Sequence, residues 1–118
     1  MDEGLPEFPL LLSLYPELSS TTLMRTRFLV SYDISSPHRL RRVAKICESY
    51  GTRLQYSVFE CPLDSLRLQQ LRAALSEVIH FDDDQILFIS LGPAATDASL
   101  SIDALGQPYL MRSRLTVI

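Results

Sequence analysis

An apolar run, Arg27-Phe28-Leu29-Val30-Ser31-Tyr32, ends on a lone carboxylate, Asp33, and is followed at once by Ser35-Ser36-Pro37. This junction constrains the chain more than any other stretch. The run is rich in β-formers and reads as an interior strand. Ser36 is placed to cap a helix, and Pro37 suits the first helical position, where a missing N–H costs nothing. From there Leu40, Val43, Ala44, Cys47 and Tyr50 recur at three- and four-residue spacing and lay one apolar face. Arg41, Arg42 and Lys45 fall on the opposite side, with Arg39 at its margin, and Gly51 is expected to stop the helix.

Residues Arg53 to Cys61 alternate Leu54, Tyr56 and Val58 against Gln55 and Ser57. The stretch is one bent strand or two short ones meeting at a kink, ended by Pro62. Asp64 caps a second helix expected to run through His80, with Leu68, Leu71, Leu75, Val78 and Ile79 as its stripe. Asp82-Asp83-Asp84 makes an acidic turn. Gln85 to Leu91 is the third clear strand, closed by Gly92-Pro93. Ile102 to Gly106 and Leu115 to Ile118 are expected as two short C-terminal strands.

The order β-α-β(β)-α-β predicts an α+β fold, a ferredoxin-like βαββαβ sandwich with an antiparallel-mixed sheet and both helices on one face. Its boundaries are a loosely attached leader at 1–23, a core at 24–92 and a C-terminal loop with strands at 93–118. The leader admits two readings, a segment packing partly through Phe8, Leu10 and Leu12 or, since Met24 stands just before the first strand, an upstream extension. A sheet covered on one face only needs something on the other, and a symmetric dimer is the simplest cover.

At 118 residues the chain makes one small domain. Its net charge of −3 argues against simple nucleic-acid binding, yet the charge is unevenly spread. All four charged side chains before Met24 are acidic, and from Met24 onward eleven basic residues face ten acidic ones. Between Arg25 and Arg53 seven basic residues meet only Asp33 and Glu48. Clustered positive charge binds anions whatever the total is. Ten of the eleven basic residues are arginine, whose planar fork suits bidentate phosphate contacts. The basic helix face therefore admits two readings, a solvated surface or a phosphate track that positions a backbone without reading bases.

Asp33 also has two readings: a turn residue accepting backbone hydrogen bonds, or a carboxylate ligand for a hard cation such as magnesium. One carboxylate per chain is too few for a nuclease, but a two-fold axis supplies a second, and the cation relieves their repulsion. Cys47 and Cys61 have neither CxxC nor zinc spacing, and Cys47 falls on the apolar helix face as a reduced buried thiol. His38 and His80 stand apart from any cysteine. A nucleophile elbow, a phosphate-cradling glycine loop, an HExxH and an aromatic RNP signature are all missing. The apolar patch Phe8 to Leu14 has an acidic flank where a signal peptide needs a basic one, which makes a cytoplasmic protein without a membrane span the expectation.

The strings Val30-Ser31-Tyr32-Asp33-Ile34, Arg41-Arg42-Val43-Ala44-Lys45, Tyr50-Gly51 and Arg53-Leu54-Gln55-Tyr56-Ser57-Val58-Phe59-Glu60-Cys61 resemble the CRISPR-associated endoribonuclease family. Its members are the small subunit that accompanies the CRISPR integrase in spacer acquisition. The resemblance spans Arg25 to Leu91 and resumes more weakly at Ile102 to Gly106 and Leu115 to Ile118. It implies a homodimer whose C-terminal strands add to the partner's sheet, with Asp33 as catalytic and metal-binding residue and one Mg²⁺ shared across the axis. It also implies nucleic-acid handling by Arg42, Arg53 and Phe59, which join Arg39, Arg41 and Lys45 of the basic face. Leu40 stands where some members carry an arginine, which bears on nuclease activity more than on fold. Within the family some members look like magnesium-dependent nucleases of single-stranded RNA or duplex DNA, and others like scaffolds that bridge integrase dimers. A ferredoxin-like regulatory or ligand-binding dimer is the alternative from another class.

Overall fold

The computed structural model describes residues 24–109. The expected leader and the expected strand Leu115 to Ile118 lie outside the described residues. The elements are β1 (Thr26–Asp33), α1 (Pro37–Glu48), β2 (Thr52–Gln55), β3 (Val58–Leu63), α2 (Ser65–Ser76) and β4 (Gln85–Pro93), followed by a 3₁₀ turn at Ala98–Leu100. The strands form one sheet in the order β2-β3-β1-β4, every neighbouring pair antiparallel. This is the ferredoxin-like arrangement, wholly antiparallel where a partly mixed sheet was expected.

Both helices start as their capping residues dictate. The Arg39 N–H donates to Ser36 Oγ (3.3 Å), and the Arg67 N–H donates to Asp64 Oδ1 (2.8 Å). The anticipated apolar stripes pack on one face of the sheet. Val43 and Cys47 of α1 and Leu71 and Leu75 of α2 close over Val30, Tyr32, Phe59, Cys61 and Leu63. Full burial of a side chain such as Val43, which is 0% exposed, stabilises the fold by about 1.5–3 kcal/mol. Val78 and Ile79 join the core, but from a turn: α2 ends at Ser76, short of His80, and their N–H groups donate to the Leu75 carbonyl.

Three local expectations need correction. Residues Arg53 to Cys61 form two strands meeting at a hairpin turn, Tyr56-Ser57, rather than a kink. The Tyr32 N–H holds the turn by donating to the Ser57 carbonyl (3.0 Å). Pro62 does not end β3, which runs on to Leu63; β2 pairs only as far as Glu60, so Pro62 stands where the sheet has an edge. Gly51 lacks the left-handed conformation of a helix stop, and α1 ends at Ser49 in αR geometry. Glycine is required at 51 by close approach instead. A Cβ there would meet the Glu60 carbonyl oxygen, Cys61 Sγ at 2.5 Å and Cys61 Cα at 2.9 Å.

The other face of the sheet carries no helix. Leu29, Ser31 and Asp33 of β1 point to it, since Val30 and Tyr32 point into the core. Register puts Val58 and Leu87 beside Ser31, and Glu60 and Ile89 beside Leu29. Leu87 and Ile89 remain 46% and 43% exposed. Residues 102–109 cross the β2–β3 half of this face and leave a cleft of about 450 Å³ against Leu29, Leu54 and Val58. Ile102 to Gly106 is not a strand as expected. It lies over side chains, where no ladder groups are offered, instead of along an edge. Its hold is chemical: Tyr109 Oη donates to the buried Glu60 carboxylate (2.9 and 3.1 Å), and Glu60 also pairs with Arg27. Arg27 Nη2 donates in turn to the Ala94 (2.6 Å) and Thr96 (3.2 Å) carbonyls.

Candidate nucleic-acid interface and carboxylate site

Asp33 is the last residue of β1, exposed on the bare face and paired in register with Gln85. Among the described residues it has no hydrogen-bond partner, and no group of three or more His, Cys, Asp or Glu side chains could hold a metal ion. A lone carboxylate offers a hard oxygen donor suited to Mg²⁺, but one chain supplies only a fraction of the oxygen ligands such an ion takes. Its chemistry fits half a site.

The arginines sort into two groups. Arg27 and Arg39 are engaged in ion pairs, and Arg67 and Arg72 lie over the Tyr50 and Phe88 rings at 4.8 and 5.0 Å. Arg41, Arg42 and Lys45 are exposed on the outer side of α1, without an ion pair among the described residues. Arg39 is therefore set apart from its expected companions. Its fork grips Asp84, through Nε (2.7 Å) and Nη2 (3.1 Å), which draws it away from the exposed face that carries Arg41, Arg42 and Lys45. Hydrogen bonding to Arg39 holds the Asp84 carboxyl well below the usual carboxylate range, against the opposing effect of desolvation.

Arg53 is exposed, and register with Phe59 puts it on the helix side of the sheet. Its guanidinium lies 5.1 Å from the Phe59 ring centre and 5.9 Å from that of Tyr56, and the Tyr32 hydroxyl beside it raises its pKa. Phe59 itself is 0% exposed and stacks on Tyr32 at 6.2 Å. Its ring cannot touch a nucleic acid here and acts as the floor under Arg53. The structure thus brings Arg53 and Phe59 together, on the same side of the sheet as Arg41, Arg42 and Lys45, with Asp33 on the opposite face. Strand alternation dictates this separation, because Tyr32 points into the core and its neighbour must point out.

Tyr56 was not singled out from the sequence. It is 73% exposed at the hairpin turn, with its carbonyl accepting from Tyr32 Oη (3.3 Å). The only signal was an aromatic midway along an alternating run. Both thiols are free and buried, and burial pushes Cys47 up to about 11 and Cys61 to about 12, so neither is a nucleophile.

With the geometry fixed, comparison with known proteins gives the lineage. The family model described as CRISPR associated protein Cas2 matches residues 24–97. The chain belongs to the Cas2 family. A relative named CRISPR-associated endoribonuclease Cas2, from Geobacter sulfurreducens, is 41% identical over 71 residues, 60% of this chain and 75% of that one. A Rhodospirillum rubrum Cas2 with the same activity in its name is 36% identical over 91 residues, covering 77% of this chain and 88% of that one. Among solved structures, Streptococcus pyogenes Cas2 superposes with a TM-score of 0.61 at 35% identity, over 68% of this chain and 99% of that one. A hypothetical protein from Thermus thermophilus gives 0.62 at 31%, over 73% and 96%. The Cas2 match begins at Met24 and takes in β1 through β4, and with them every candidate site residue. Among the described residues no helix is long and apolar enough to cross a membrane.

Proposed function

We propose that this Cas2-family chain acts as a cytoplasmic homodimer in CRISPR adaptation, binding nucleic acid beside the integrase and hydrolysing phosphodiesters of single-stranded RNA or duplex DNA with Mg²⁺. The observation that carries the reading is the placement of Asp33. It is an exposed carboxylate at the rim of a helix-free sheet face whose β4 side, Leu87 and Ile89, is apolar. Burying that apolar side against a second copy carries the two strand ends into one interface, and with them a pair of carboxylates able to share one Mg²⁺. A Mg²⁺ held by the paired Asp33 carboxylates would supply water activation and charge stabilisation on the phosphate. Arg41, Arg42, Lys45 and Arg53 hold the backbone, and the exposed Tyr56 ring offers a stacking surface for an unpaired base.

Replacing Asp33 by Asn tests this. Mg²⁺-dependent cleavage of a single-stranded RNA is expected to fall by at least about a hundredfold, beyond the roughly 10–100-fold cost of losing a group that merely orients a metal ligand, while binding of the same RNA persists. Cleavage at the wild-type rate by the variant removes Asp33 from the reaction.

A scaffold role is the second reading, favoured by a specific observation. The free cations and Asp33 occupy opposite faces of one chain, so duplex binding along α1 needs nothing from the carboxylate. In that case the Asp33→Asn protein bridges integrase dimers as well as wild type does, with affinity falling steeply as salt rises. The ligand-binding alternative would use the mostly apolar 450 Å³ cleft, whose one charged lining residue is Asp103, but it leaves the exposed cations of α1 without a role.

A further inference from the structure

We propose that Asp84 is the positioning residue for Asp33, an inference that rests on the metal-binding reading above. The Asp84 side chain is 0% exposed, yet it belongs to an acidic turn that looks like solvated surface in the sequence. Its two oxygens take five hydrogen bonds. Oδ1 accepts from the Ser35 N–H (3.0 Å), Ser35 Oγ (3.1 Å) and Arg39 Nη2 (3.1 Å), and Oδ2 accepts from Arg39 Nε (2.7 Å) and the His80 N–H (2.8 Å). Arg39 Nη2 closes the ring by donating to Ser35 Oγ (3.1 Å).

These contacts bracket Asp33. Its strand partner, Gln85, is the residue directly after Asp84, and Ser35, two residues beyond Asp33, is bound to the Asp84 carboxylate. The chain just after the metal-binding position and the start of the strand paired with it are thus tied to one shielded anion. With no hydrogen-bond partner of its own among the described residues, the Asp33 side chain takes its position from the backbone that carries it. An ion shared across a two-fold axis feels any shift of that backbone twice, once from each copy. Asp84 touches neither metal nor substrate; it fixes where the ligand stands.

The test is Mn²⁺ binding by the intact dimer, read by electron paramagnetic resonance, which needs no catalysis. Asp33→Asn is expected to abolish the bound-ion signal. Asp84→Ala is expected to weaken Mn²⁺ affinity about tenfold or more, as loss of a group that orients a ligand does. Leu75→Ala, which loosens the core without touching this ring, is expected to keep wild-type affinity. If Asp84→Ala fails to fold, Arg39→Lys and Ser35→Ala each remove part of the ring and are expected to show smaller losses of the same sign. Wild-type affinity in every ring variant, with the signal lost in Asp33→Asn, overturns the positioning role and leaves the metal site standing. An undiminished signal in Asp33→Asn overturns both.

Discussion

Gly51 and Phe59 show how single residues fix the site from outside it. At Gly51 the loop after α1 touches the β3 backbone, and a methyl group has no flexible neighbour to displace, since two of its three nearest atoms are main chain. Gly51→Ala is expected to cost about 1–3 kcal/mol as an overpacking defect, measured by urea denaturation. An unchanged midpoint would mean that the loop yields freely. Phe59 carries Arg53 on its ring face, so a residue that never meets solvent governs how a solvent-facing cation is presented. This explains how a buried aromatic in the Arg-x-Gln-x-Ser-Val-Phe-Glu string comes to look functional when the string is read alone. The sequence marks the position as important, and only packing separates the contact from its support.

At the scale of elements, the parts written in local chemistry were legible and the parts written in tertiary contact were not. Ser36-Pro37 and Asp64 announce their helices because capping is decided within four residues. The β2–β3 hairpin gave no such notice. Its turn is Tyr56-Ser57 with no left-handed residue, so the Asn-Gly or Asp-Gly signature of a two-residue turn is missing. The third aspartate of Asp82-Asp83-Asp84 is indistinguishable in sequence from its exposed neighbours, yet it alone ties the loop after β1 and helix α1 to the start of β4. Asp33 and the α1 cations were found from sequence, but their assignment to opposite faces needed the strand register. The Asp84 ring also predicts an acid response. Its folded pKa lies below the ordinary 3.8, so its contribution to stability is complete above that value and is lost as pH falls further. Asp84→Asn is expected to be less stable than wild type at neutral pH and to show a smaller loss of stability on acidification below about pH 4. Thermal unfolding followed from neutral pH down through this acid range checks it, and parallel curves for the two proteins would remove the ion pair from the stability of the fold.

For the whole molecule, the ferredoxin-like sandwich spends both helices on one side of the sheet and leaves Leu87 and Ile89 half-bare on the other. Apolar surface of this kind is covered in a working assembly. Placing a charge there, Leu87→Glu, is expected to shift the protein from dimer to monomer in sedimentation velocity while leaving the helical circular dichroism intact. A variant that stays dimeric would move the contact away from this face. The helix-free face carries Leu87, Ile89 and Asp33, and the outer side of α1 carries the exposed cations Arg41, Arg42 and Lys45. The clustering gives the chain a locally basic surface despite its overall charge of −3.

Residues 102–109 already occupy the β2–β3 half of the helix-free side, held there by Tyr109 on Glu60. Any incoming copy therefore meets a composite surface, part sheet and part the chain's own strap. In the proposed dimer, clipping or lengthening that strap would change the fit between the copies, and so the gap between the two Asp33 carboxylates, without altering a residue in either the sheet or the helices.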